Sequence, residues 1–144
     1  MTGSKQFRKR TKSFGRGRLL RKAIQNANEV LPGQKAPEGE TDLRWQAVIA
    51  VSLFSNTHPE EVWDFTYQWG KSSDEDLRSA IATCILEHLL GDHFELIFPR
   101  VERAVKSSPE FADTFSRIWK FDQACEPGNE KRVDSLMSEC NPAS

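Results

Sequence analysis

From Gly17 to Leu31 the apolar residues Leu19, Leu20, Ala23, Ile24, Ala27, Val30 and Leu31 recur at steps of three and four, the spacing of one amphipathic helix. Pro32 and Gly33 end it, and Pro32 to Glu40, with Pro37 and Gly39, predicts a loop. A second apolar face runs through Leu43, Ala47, Val48, Ala50, Val51 and Phe54, with Thr41 as its expected N-cap and a stop near Asn56. Thr57 and Glu60 have capping-box spacing around Pro59, and Val62, Trp63, Phe65, Thr66 and Trp69 follow before Gly70. Ser73, three residues before Asp76, opens a long stripe of Leu77, Ala80, Ile81, Cys84, Ile85, His88 and Leu89, expected to stop at Gly91. Phe94 to Val105 forms a further helix that Pro99 should kink or restart. Ser108 and Pro109 start another through Phe111, Phe115, Ile118 and Trp119, ending near Phe121. Pro127 and Gly128 break the chain before a short helix through Val133, Leu136 and Met137, and Cys140 to Ser144 should fray. No run alternates at period two, so the pattern predicts an all-α fold of about six or seven helices without a sheet.

Asp42-Leu43-Arg44 recurs thirty-four residues on as Asp76-Leu77-Arg78, and at the same offset Glu61, Val62 and Trp63 align with Glu95, Leu96 and Ile97. A period of this length means stacked helical hairpins, because one hairpin cannot bury its own apolar face. The expected units are about 41–74 and 75–107, flanked by capping helices 17–31 and 109–139 within a single domain of residues 17–140. Tetratricopeptide repeats share the period, but their Trp, Leu-Gly, Tyr and late Pro pattern is absent. Asp42-Leu43-Arg44 with Ala47 and Ala50, and Asp76-Leu77-Arg78 with Ala80 and Ala82, resemble the first helices of the HEAT family and its short bacterial relatives. The resemblance covers residues 41 to about 107. It implies a short α-solenoid in which Asp42, Arg44, Asp76 and Arg78 support the stack by hydrogen bonds between units, and it implies a surface offered to another protein.

Charge changes this picture at one end. Lys5, Arg8, Lys9, Arg10, Lys12, Arg16, Arg18, Arg21 and Lys22 all precede the first acid, Glu29, so the rest of the chain holds the other eleven of twenty basic residues against all twenty-one acids. Residues 1–16, with Gly15 and nearby Gly17, are expected to be a flexible basic arm. Arg8, Lys9, Arg10, Lys12, Arg16 and Arg18 are its candidate nucleic-acid contacts, sequence-blind and salt-sensitive. Trp63, Tyr67, Trp69 and Trp119 are candidates for binding a protein partner.

Candidate chemistry adds little. His88 and Asp92, four apart and followed by His93, would need further convergent ligands to hold zinc or iron. Cys84, Cys125 and Cys140 form no CxxC pair, and Cys84 with His88 lacks the third group and oxyanion hole of a nucleophilic site. Gly15-Arg16-Gly17-Arg18 lacks the context of a phosphate loop. Among HEAT relatives, DNA alkylation repeat proteins excise damaged bases, but an acidic body argues against a DNA groove here. The expectation is therefore a non-enzymatic protein-binding module without catalytic residues, cofactor or metal. The alternatives are a bacterial toxin-neutralising immunity or defence component, which the HEAT resemblance implies, and a nucleic-acid-associated protein acting through the arm. No apolar run suits a membrane span or a secretory leader, and the cysteine usage fits a reducing compartment, so a cytoplasmic location is expected; no oligomeric state is.

Overall fold

Helix starts in this chain lie where a carboxylate, a hydroxyl or a proline can stand in for missing amide partners. In the computed structural model, which describes the backbone of residues 2–140 and the side chains of residues 15–140, the helices are α1 (Thr2–Val30), α2 (Leu43–Ser52), α3 (Pro59–Gly70), α4 (Glu75–Ile81), α5 (Glu87–Asp92), α6 (Phe94–Ser107), α7 (Pro109–Ser116) and α8 (Pro127–Cys140). A π turn, Ala82–Leu86, joins α4 to α5 as one rod, giving seven rods, and a 3-10 turn spans Asp122–Cys125. The described residues are all-α and contain no strand.

Several boundaries differ from the sequence expectation for local reasons. Asp42 rather than Thr41 caps α2, accepting the Arg44 N–H at 2.9 Å, and Asp74 rather than Ser73 caps α4, accepting from Asp76 and Leu77. In both cases the carboxylate stands nearer the helix start than the hydroxyl and also meets the positive helix end. The capping box at Thr57 does not form: the Thr57 hydroxyl lies 2.9 Å from His58 Nδ1, and α3 begins on Pro59. Ser108 caps α7 as expected, accepting from Phe111 N–H at 3.1 Å. Helix α6 runs through Pro99 with no restart, and α7 stops at Ser116, short of Phe121. Pro127 starts α8 instead of only breaking the chain, because a missing N–H costs nothing at the first helical position. Gly91 does not stop its helix either. It is buried inside α5, where an added Cβ would lie 3.3 Å from the Phe121 carbonyl oxygen.

At the N-terminus the helix begins at Thr2, not near Gly17. Gly15 and Gly17 each cost about 1 kcal/mol of helix propensity, too little to interrupt a 29-residue helix. The expected fraying beyond Cys140 falls outside the described residues.

The long central rod shows why a pattern of three and four goes astray. A π turn carries an i→i+5 bond and so rotates everything after it relative to an unbroken α-helix. The inward stripe runs Leu77, Ala80, Ile81, Ile85, Leu86, Leu89 and Leu90, so His88, expected on that stripe, is exposed and Glu87 is buried.

Consecutive elements pack in a regular order. α1 lies along α2; α2 touches α4 and the π turn; α4 touches α7; α3 lies on α4 and α7; α6 lies on α5 and α7; α8 lies on α6 and α7. One core is the result, with Phe94, Phe98, Phe111 and Phe115 fully buried at its centre. An arginine and carboxylate ladder ties the starts of α2, α4 and α7. Arg44, only 2% exposed, donates to Asp74 at 2.6 Å and Asp76 at 3.0 Å, while Arg78 Nε donates to Asp113 at 2.8 Å. Each arginine also donates to a carbonyl in the loop before its own helix, Arg44 to Gly33 at 3.3 Å and Arg78 to Ser72 at 3.0 Å. Arg117 closes the ladder on Asp113 at 2.8 Å and Glu75 at 3.0 Å.

Candidate interaction surfaces

On α3 the spacing of four places Trp63 and Tyr67 on one side of the helix. Their rings stack at 5.9 Å with planes 6° apart, and both meet Phe111 of α7 edge-on. Phe111 is fixed in turn by Gly70, where a Cβ would come within 2.8 Å of its ring. The aromatic pair therefore stands on a rigid base. Trp63 is 6% exposed and mostly spent on the core, whereas Tyr67 is half-buried and carries the Lys71 ammonium 3.9 Å above its ring.

Facing this pair across an open cleft of about 300 Å³ are Arg100, Arg103 and Ser107 of α6, with Asp64 on the α3 rim. Arg100 makes one 3.2 Å bond to the exposed Glu60. Arg103 has no ion-pair partner among the described residues. A cleft of about 360 Å³ between α6 and α8 is less available, because Arg132 is already engaged there. It lies over the Phe94 and Phe98 rings at 5.1 and 4.9 Å and donates to Glu95 at 2.8 Å.

The other two aromatic candidates lie elsewhere. Trp69, half-buried, donates its Nε1–H to Asn28 Oδ1 of α1 at 2.9 Å. Trp119 is 71% exposed in the segment after α7, next to the exposed Phe121. Its backbone N–H is held by Glu87 Oε2 at 2.9 Å. Burial pushes the Glu87 carboxyl above the usual range, opposed by that N–H and by His88. Lys120, between the two rings, pairs with Asp134 at 2.8 Å.

Of the expected nucleic-acid contacts, Arg16 and Arg18 are exposed on α1, with the Arg16 guanidinium 5.9 Å from the Phe54 ring centre. The side chains of Arg8, Lys9, Arg10 and Lys12 lie outside the described residues. His88, Asp92 and His93 do not converge: His93 Nε2 lies 2.7 Å from the Asn56 carbonyl, the Asp92 carbonyl takes a bond from Gln123, and His88 faces solvent. Among the described residues no group of three His, Cys, Asp or Glu side chains is placed to hold a metal ion. Burial pushes the Cys84 thiol up, away from the thiolate a nucleophile needs. Arg100 and Arg103 were missed as cleft residues. Their spacing of three on one helix was visible in the sequence, but nothing local placed them opposite Trp63 and Tyr67.

An all-helical chain with this ladder and no strand among its described residues belongs to a helical class; the family is narrower. Residues 33–139 match a family of unknown function (DUF6869), and the chain belongs to that family. No curated protein and no solved structure matches the chain. Among the described residues no helix is long and apolar enough to cross a membrane.

Proposed function

We propose that the chain is a non-enzymatic protein-binding module, built as a short HEAT-like α-solenoid of stacked hairpins, whose α3/α6 cleft takes a segment of a partner protein. The observation that carries this is the cleft itself: a stacked Trp63–Tyr67 floor on a rigid base, faced by two guanidiniums of which Arg103 is free of any ion pair among the described residues. Aromatic and arginine side chains dominate the energetics of protein interfaces, and a forked guanidinium suits a carboxylate. The fitting partner segment therefore carries an acidic side chain beside an apolar one. In support of the stack, α2, α4 and α7 follow one another in contact, and Arg44 and Arg78 each donate to a carboxylate at the next of these helices and to a carbonyl of their own entry loop.

Affinity capture from the native cell with wild-type, Tyr67→Ala and Arg103→Glu baits tests it. The expected result is a partner held by wild type and weakened at least about tenfold by each substitution. Equal capture by all three baits contradicts it.

A second reading rests on α1. Arg16, Arg18, Arg21 and Lys22 are exposed and form no ion pair among the described residues, so the helix is free to meet phosphates. Binding to duplex DNA or to RNA that falls steeply from low to physiological salt, and that weakens when residues 1–16 are removed, is the expected signature. Salt-independent binding, or undiminished binding by the truncated chain, counts against it.

A further inference from the structure

Helix α2 shows large apolar side chains on its outer side as well as its inner one. Its inner side buries Ala47, Val48 and Val51, yet its outer side carries Leu43 at 66%, Ile49 at 46% and Leu53 at 70% exposure, with Ala50 half-buried between them. At 100° per residue Leu43, Ile49, Ala50 and Leu53 share one outer face of about a third of the helix circumference, with the exposed Gln46 among them. The uncovered outer face of a helical stack is normally polar, so three large exposed aliphatic side chains on one face call for a cover.

The charges at the two ends of the stripe say what covers it. Helix α1 runs antiparallel to α2: Gly33, just past α1, accepts from Arg44 at one end, while Arg16 sits over Phe54 and Gly17 lies near His58 at the other. The Leu43 end thereby follows the loop that carries the exposed Glu38 and Glu40, and the Leu53 end is flanked by the exposed Arg16. None of these three has an ion-pair partner among the described residues. A two-fold axis through the middle of the stripe sets α2 antiparallel to its copy and brings each acidic end against the other's basic end. A parallel pairing would set like charge on like.

We infer that the outer face of α2 is the interface of a two-fold homodimer, with Leu43, Ile49 and Leu53 packed against the same residues of a second copy and Arg16 facing Glu40 across the pair. Two ten-residue helices alone cover less than the about 1,200 Å² of a stable interface. The exposed Leu19, one turn from Arg16 on α1, extends the contact, and a dissociation constant of about 1–100 μM is expected.

Sedimentation velocity of the full chain between about 1 and about 300 μM tests this. The expected result is a reversible monomer–dimer equilibrium that Leu53→Glu weakens at least about tenfold, with the thermal midpoint of the diluted monomer unchanged because the side chain is exposed. Arg16→Glu and Glu40→Arg should each dissociate the dimer when alone, and an equimolar mixture of the two variants should restore it, since every cross-copy pair is then attractive. A monomer across the whole range, a dimer indifferent to Leu53→Glu, or a mixture no tighter than its components overturns the inference.

Discussion

Glu87 shows how a single carboxylate can be both anchor and cost. It is buried, it holds the Trp119 N–H at 2.9 Å, and burial raises its pKa. A raised carboxylate pKa means that the folded chain keeps its proton to a higher pH than the unfolded one, so the stability present below the unfolded pKa, about 4.3, is lost as pH rises through the folded value. Glu87→Gln keeps an acceptor oxygen for Trp119 without the titration. The variant should therefore be flatter in stability than wild type as pH rises above about 4, and no less stable at neutral pH. Urea unfolding across that range checks it, and a parallel pH dependence in the two proteins would contradict it. The sequence hid this residue because the π turn moves Glu87 inward and His88 outward, and nothing in Ala82-Thr83-Cys84-Ile85-Leu86 announces such a turn.

Among the elements, the glycines separate close approach from mere flexibility. Gly70 ends α3 with the buried Phe111 ring where its Cβ would be, at 2.8 Å, and Thr114 donates to its carbonyl at 2.6 Å. The ring is itself locked by Trp63 and Tyr67 and cannot retreat. Gly70→Ala should cost about 1–3 kcal/mol, the range for overpacking a filled core. Gly128 sits in the first turn of α8 with nothing within 4 Å of an added Cβ, so Gly128→Ala should stabilise by about 0.5–1 kcal/mol. Thermal unfolding of the two variants should move in opposite directions, and a shared direction contradicts this packing. Helix existence was legible from spacing from Gly17 onward, and Ser108 with Pro109 marked α7 correctly. Boundaries were less so, because Asp42 and Asp74 compete for the cap with the hydroxyls of Thr41 and Ser73, and distance to the first free amide decides between them.

At the scale of the molecule, Asp42-Leu43-Arg44 and Asp76-Leu77-Arg78, thirty-four residues apart, both lie at the starts of helices that touch, with Asp42 as the cap of α2 and Asp76 as the second residue of α4. Equal sequence does not bring equal burial: Leu77 is buried on α4, which touches α2, α3 and α7, while Leu43 of α2 is exposed. The third rung was invisible because Asp113, which serves Arg78, lies inside α7 rather than ahead of it. The cleft was half legible, as Trp63 and Tyr67 without Arg100 and Arg103. The hydrogen bond from Arg44 holds the Asp74 carboxyl below the usual range despite its partial burial. At Asp113 burial pushes the other way, but the bonds from Arg117 and Arg78 prevail and the net shift is downward. A lowered carboxylate pKa contributes stability that is present above the unfolded value, about 3.9, and lost as pH falls through the folded one, so the chain should lose stability steeply below about pH 4. Arg44→Met should remove the Asp74 part of that acid transition, which acid titration followed by circular dichroism would show.

The coupling of α2 to α4 through Arg44 is most directly measured by a double-mutant cycle in urea with Arg44→Met and Asp74→Asn, the latter keeping an oxygen to cap α4. The proposed stacking of hairpins, with Arg44 bonded to Asp74, predicts an interaction energy of about 1–3 kcal/mol between the two positions within one cooperative transition. Additivity to within about 0.3 kcal/mol, or two separate transitions, would mean that the helices starting at Leu43 and Glu75 do not lean on one another.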